Sequence, residues 1–329
     1  MSNPKIVVIG GGTGTFEILG GLKKLTPELT ALVGMADDGG STGLLRDDYG
    51  VLPPGDVRKA LVALARVPEM RDLFNYRYEE GGLAGHSFGN IFLSTVEKMA
   101  GGNFTQAVDL ASKVLNITGR VVPITLDKVT LVLKEKGGRE IRGESQLDKG
   151  IVFTDQRPEV RLEPSASITQ EGREAILDAD MVVVAPGSLY GSLAAVLAVD
   201  GVSKALAKTK AKKVYVCNLV TEHGQTDGFK VHDYAAEIER FLAGKAKLDY
   251  VLYNTHRPPA ELLDRYYRQE HRTWIEFDEE KLVKRHYEPI GKNFVLKDSE
   301  RQKTYIRHDA GKVASTLLEL LGRNDAKVK

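Results

Sequence analysis

The chain has 329 residues, 42% of them hydrophobic, with 46 Lys and Arg against 45 Asp and Glu. So even a balance argues against a nucleic-acid partner or insertion at an anionic membrane, both of which reward excess positive charge. Cys217 is the single cysteine, which excludes an intrachain disulfide and fits a cytoplasmic home; the first apolar run, about five residues, is too short for a signal peptide, and no run approaches the ~18 residues of a membrane span.

Lys5 to Ile9 is an apolar, β-branched run that breaks into Gly10-Gly-Gly-Thr-Gly14. Apolar residues then recur at Ile18, Leu19, Leu22 and Leu25 at helical spacing. This predicts strand, glycine loop and helix, with Gly11, Gly12, Thr13 and Gly14 as phosphate-binding candidates at a helix N-terminus. The third glycine of a dinucleotide fingerprint would fall at Thr15, and no Gly-Lys-Ser/Thr follows, so neither familiar phosphate motif is present. A turn without ligand is the alternative.

Leu29 to Met35 reads as the second strand, opening into the loop Ala36-Asp-Asp-Gly-Gly-Ser-Thr-Gly43. Asp37 and Asp38 then stand at a strand's C-terminal end, where open α/β sheets bind ligands. They can accept from a ribose or hold magnesium, which takes one or two carboxylates plus substrate phosphates. Gly40 and Ser41 join them as phosphate-contact candidates. A solvated Asp-Gly turn is the plain alternative. Pro53-Pro54-Gly55 is a stiff turn, with Asp56 as an expected N-cap. Arg58 lies in the following first helical turn, either as an anion clamp or paired with Asp47, Asp48 or Asp56.

Gly85-His-Ser-Phe-Gly-Asn90 precedes a helix whose apolar stripe is read as Phe88, Ile91, Phe92, Thr95, Val96 and Met99. His86 and Asn90 point away from that stripe and are candidates for reading a phosphate or nucleotide; a cap is the alternative. A helix over Phe104 to Leu115 follows. Residues 120–165 then read as a small β-rich insertion, to which no chemistry is assigned.

A second strand–glycine-loop–helix unit starts at Ala179, with Pro186, Gly187 and Ser188 as its loop; Ser188 and Ser192 are candidate donors to an anion, and a turn with an N-cap is the alternative. Strands ending in Asn218 and Asn254 follow. A polar residue recurs at each strand tip, pointing to one shared crevice. Cys217 reads as a buried strand residue, not a nucleophile. Glu261 to Tyr266 lies on a helix opened by Pro258-Pro259, and Trp274 and Phe277 lie in a strand-like, packing segment. Tyr305 to Asp309 reads as a last strand whose Arg307 and His308 reach a phosphate or sugar. A closing helix spans Val313 to Leu321, and a polar tail runs from Arg323 to Lys329. The expected architecture is α/β: one Rossmann-like domain over 1–329, a mostly parallel sheet with helices on both faces, plus the insertion.

Taken together, Gly10 to Gly14, Ala36 to Gly43, Leu52-Pro-Pro-Gly-Asp-Val-Arg58, Gly85 to Asn90, Pro186-Gly-Ser-Leu-Tyr190 and Ile306-Arg-His-Asp309 resemble the gluconeogenesis factor family (YvcK-like) nearly end to end. More distantly they resemble 2-phospho-L-lactate transferase (CofD). The first resemblance implies a cytoplasmic bacterial protein that binds UDP-sugars such as UDP-N-acetylglucosamine. It also implies a need for it in cell shape and in growth on gluconeogenic carbon sources, through a protein partner in cell-wall synthesis. Tyr266 and Arg307 would contact the nucleotide sugar. The second implies a magnesium-dependent transfer from a guanosine-diphosphate-activated donor, with Asp37 and Asp38 at the reacting phosphates. GDP or NAD would be the lesser ligands, and a homodimer is the expected assembly. Ala310 stands where some family members carry a phosphorylatable threonine, so phosphorylation is not expected there.

Overall fold

The computed structural model describes residues 3–154, 157–296 and 305–322; the predicted polar tail from Arg323 lies outside them. Ten strands, numbered in chain order, build two sheets. Of these, β1 (Ile6–Gly10), β2 (Leu29–Val33), β3 (Arg120–Pro123), β7 (Met181–Val184), β8 (Lys212–Val216), β9 (Tyr250–Asn254) and β10 (Glu288–Lys292) form an all-parallel sheet ordered β10-β9-β8-β7-β1-β2-β3. The remaining three, β4 (Thr130–Lys134), β5 (Glu140–Arg142) and β6 (Glu159–Glu163), pair antiparallel as β5-β4-β6.

Helices flank the parallel sheet, which is why β1, β2, β7 and β9 are mostly apolar and buried at every position, Thr30 and Asn254 being the polar exceptions. The Gly12–Leu22 helix packs against both Gly55–Leu64 and Ala310–Gly322. The first of these contacts spans β2 and the Gly40–Tyr49 helix in sequence; the second brings the two ends of the described chain together. Strand order reverses at β1, which pairs with β2 on one side and β7 on the other. Open sheets bind ligands outside the strand C-termini at such a reversal.

Several sequence readings change. Arg120–Pro123 belongs to the parallel sheet as its edge next to β2, so the separate sheet begins only at Thr130. Ile151 to Phe153 forms no strand, and Tyr305 to Asp309 makes only an isolated bridge from His308 to Val295. The strand that pairs with β9 is Glu288–Lys292 instead. It was hidden because an edge strand needs little apolar surface and tolerates Pro289. The loop after β2 is shorter than read, since a helix starts at Gly40 and carries Ser41 and Thr42. Asp56 sits inside the first turn of its helix, with Pro54 at the cap. In Phe88–Met99 the most buried line is Gly89, Asn90, Leu93, Ser94 and Glu97, whereas Met99 is 81% exposed. That line is partly polar because it meets polar groups: Glu97 accepts from the Leu52 N–H, and Asn90 accepts from Arg58.

Candidate functional site

A cleft of about 350 Å³ lies over the strand tips at the β1–β7 reversal. Its walls include Gly11, Gly12, Thr13 and Gly14 from the first loop, and Pro186, Gly187 and Ser188 from the second. Asp37, Ser192, Asn218, Arg307 and His308 complete the predicted residues found there.

Local conformation explains the glycines. Gly12 has φ +70°, a left-handed conformation that favours glycine. Gly14 is needed for closeness: a Cβ there would sit 2.0 Å from the Pro186 carbonyl oxygen. The two loops therefore touch backbone to backbone. Asn218 adds a brace, donating to the Gly187 carbonyl at 2.7 Å and accepting from its N–H at 3.3 Å.

Internal carboxylates already hold backbone donors of both loops. The Gly12 N–H donates to Asp56 Oδ1 at 3.0 Å, and Lys59 Nζ donates to the same oxygen at 2.9 Å. On the second loop, the Leu189 N–H and the Ser188 hydroxyl donate to Glu222 Oε2 at 3.2 and 3.3 Å. Ser188 Oγ also caps its own short helix by accepting from the Gly191 N–H.

The charges are unevenly matched. Glu17, Asp37, Asp56, Glu144 and Glu222 face Lys59, Arg272 and Arg307 across the cleft. Burial, and then the neighbouring Asp56 charge, hold the Asp37 carboxyl above its usual range, although the Gly39 N–H bonds it. Burial alone would lower the Lys59 ammonium, but the charge and hydrogen bond of Asp56 prevail and raise it. His308 is buried, with Nε2–H donating to the Cys217 carbonyl at 3.1 Å; burial pushes its imidazole down to about 4. Cys217 is buried too, which pushes its thiol up to about 12 and leaves it inert, as the sequence suggested.

The profile of the CofD family, described as 2-phospho-L-lactate transferase, matches residues 6–295. A Bacillus subtilis protein named gluconeogenesis factor is 37% identical over 321 residues, covering 97% of this chain and 98% of that one. The chain belongs to the CofD family, among its gluconeogenesis factors. A putative gluconeogenesis factor of Thermoanaerobacterium thermosulfurigenes is 41% identical over 325 residues, 98% of each chain. The crystal structure of a UPF0052 family member from Bacillus halodurans superposes with a TM-score of 0.89 at 36% identity, over 97% of this chain and 99% of that one.

Within this gluconeogenesis factor fold, the remaining predicted residues stand away from the cleft wall. Asp38 turns the other way: its Oδ1 accepts from the Ser145 N–H at 2.7 Å, fastening the Glu144–Asp148 helix after β5. Asp56, rather than Asp38, is therefore the carboxylate that accompanies Asp37. Gly40 opens its helix without facing the cleft. Ser41, His86, Asn90 and Arg58 form a separate polar cluster behind Asp37, and Arg58 pairs there with amides, not with Asp47, Asp48 or Asp56. Tyr266 is buried in a satellite apolar cluster with Leu219, Leu262, Leu263, Val295 and Ile306. Its hydroxyl accepts from the Ile306 N–H at 2.9 Å, so it positions the segment bearing Arg307. Asn254 likewise holds loops, accepting from the Phe294 and His256 N–H groups.

Sequence reasoning missed Glu144, Glu17, Lys59, Gly191 and Arg272 as cleft residues. Lys59 directly follows Asp56-Val-Arg58, and that proximity was a usable signal. Glu144 had none: it reaches the cleft because the segment first read as a solvated insertion folds back against the second glycine loop, where the Ser192 hydroxyl donates to it at 3.4 Å.

Proposed function

We propose that this protein is a nucleotide-sugar-binding regulatory protein of the cytoplasm, with a UDP-N-acetylglucosamine-type ligand. The observation that carries this reading is the meeting of two glycine loops, each with backbone N–H donors, in one cleft with Arg307. Such donors suit a diphosphate, and Arg307, which has no carboxylate partner among the described residues, supplies positive charge. The names of its relatives support a role in gluconeogenic growth. Cell shape, a partner in cell-wall synthesis and a homodimer complete the proposal. Regulation then requires that ligand bind one conformation of the protein more tightly than another.

A second reading, a transferase using a nucleotide diphosphate donor, is favoured by the acidic side of the cleft and by the name of the family profile. Five carboxylates against three cations leave room for a metal between the protein and a diphosphate. Among the described residues no group of three or more His, Cys, Asp or Glu is gathered for a metal ion. Magnesium needs only one or two carboxylates besides phosphate oxygens, and Asp37 with Asp56 would serve. Bound there, it would neutralise charge on the diphosphate.

Thermal unfolding against UDP-N-acetylglucosamine, UDP-glucose, GDP and NAD, each with and without magnesium, tests both. A ligand at 100 times its Kd stabilises by about 2.7 kcal/mol. Stabilisation by UDP-sugars without magnesium is expected. Magnesium-dependent stabilisation by GDP would favour the transferase, and no response to any UDP-sugar would remove the first reading.

A further inference from the structure

The polar cluster behind Asp37 has an unbalanced charge. Arg58 is 7% exposed, yet its hydrogen-bond partners are neutral: Nε donates to Asn90 Oδ1 at 3.0 Å and Nη1 to Asn75 Oδ1 at 2.6 Å. No carboxylate lies within ion-pair distance of it among the described residues. Asp56, two residues before it, is engaged by Lys59 and the Gly12 N–H. A second guanidinium, Arg77, is close enough for its charge to be felt at Arg58, more strongly than that of either opposing carboxylate, Asp56 or Asp37. Arg77 is exposed, and its Nη1 donates to the Gly85 carbonyl, another neutral group.

His86 stands beside them. Its Nδ1 lies 3.0 Å from Ser41 Oγ, which accepts from Asn90 Nδ2 at 3.1 Å. The Ser41 hydroxyl donates to Nδ1 in one tautomer of the ring and accepts from it in the other. The other ring nitrogen, Nε2, has no hydrogen-bond partner among the described residues, and a protonated ring would present it as a donor. The exposed segment Gly81 to Gly85 borders the cluster, tied by the Tyr78 N–H to the His86 carbonyl and the Gly85 N–H to the Tyr78 carbonyl.

We propose that Arg58, Arg77 and His86 form a second anion-binding site, for a phosphate or carboxylate group of a small molecule, beside but separate from the main cleft. A buried cation hydrogen-bonded only to neutral amides, with Asp56 and Asp37 beyond ion-pair distance, is costly, and an external anion supplies a direct counter-charge. Guanidinium forks favour planar or tetrahedral oxyanions over chloride, because two parallel N–H bonds can form. Thr42, which follows Ser41, hydrogen-bonds Asp37, so the two sites share a wall. The proposal holds whichever nucleotide fills the main cleft.

Full-length protein is titrated with inorganic phosphate, and separately with acetate, at constant ionic strength in chloride, reading melting temperature and calorimetric heat. Saturable stabilisation by at least one anion is expected; phosphate alone identifies a phosphate ligand, acetate alone a carboxylate. Arg77→Ala, an exposed change that leaves the core untouched, should weaken that binding at least tenfold, and Arg58→Gln should do the same. Arg307→Ala, in the main cleft, should leave it intact. The proposal is overturned if neither anion binds saturably, or if Arg307→Ala abolishes binding that survives in Arg77→Ala. Should Arg58→Gln fail to fold, the Arg77 and Arg307 variants still decide.

Discussion

At the scale of single residues, the site is made by contacts that tolerate little change. Gly14 is the clearest case. In Gly14→Ala the new methyl would meet the Pro186 carbonyl at 2.0 Å, and both partners are backbone. The loops must separate, so we expect a loss of about 1–3 kcal/mol in urea denaturation, the range of overpacked sites, together with loss of ligand-induced stabilisation. His308 gives a pH prediction. Its folded value of about 4 lies below the 6.5 of an unfolded chain, so the unfolded state binds its proton first on acidification. The stability it contributes is full above pH 6.5 and is lost as pH falls from there toward 4. Between pH 7.5 and 5 the wild type should lose roughly 2 kcal/mol more than His308→Gln, read as the difference in unfolding free energy at the two pH values. An equal pH response in both proteins would show that His308 is not the group responsible.

At the scale of elements, the two strand–loop–helix units carry acidic plugs. Glu222 holds the Leu189 N–H and the Ser188 hydroxyl, donors that a phosphate would also use. Glu222→Gln keeps an acceptor there but removes the charge, so a nucleotide diphosphate should bind about tenfold more tightly in magnesium-free calorimetry. Unchanged or weaker binding would mean that phosphates do not approach this loop. These units were readable because glycines after an apolar β-branched run have a local cause: β1 and β7 each end where the backbone must turn. The Asp37-Asp38 pair was readable only in part, because sequence places both at a strand tip but does not say which way each turns. Asp38 is taken by the Ser145 N–H more than a hundred residues away, and Asp56 comes in from another helix. Arg58 was read either as an anion clamp or as the partner of a nearby aspartate, while its amide partners Asn75 and Asn90 depend on how three helices pack. Edge strand β10 and the polar buried line of Phe88–Met99 escaped for the same reason: neighbours, not periodicity, decide what they bury.

At the scale of the molecule, the Ala310–Gly322 helix closes the fold against Gly12–Leu22 through Val313, Ala314, Leu317 and Leu320. Leu317 is fully buried, so Leu317→Ala should cost about 2–5 kcal/mol in urea denaturation, and a cleft ligand should restore part of it by mass action. Loss of less than about 1 kcal/mol would show that this helix is not fastened as described. The same closure has a consequence for synthesis. One cleft wall is residues 11–14 and the facing segment is 306–308, so a growing chain displays the first long before the second leaves the ribosome. An unfinished chain carries both glycine loops, yet it lacks Arg307 to draw an anion in. On the proposed function, capture of a nucleotide sugar would therefore wait until synthesis has passed Arg307.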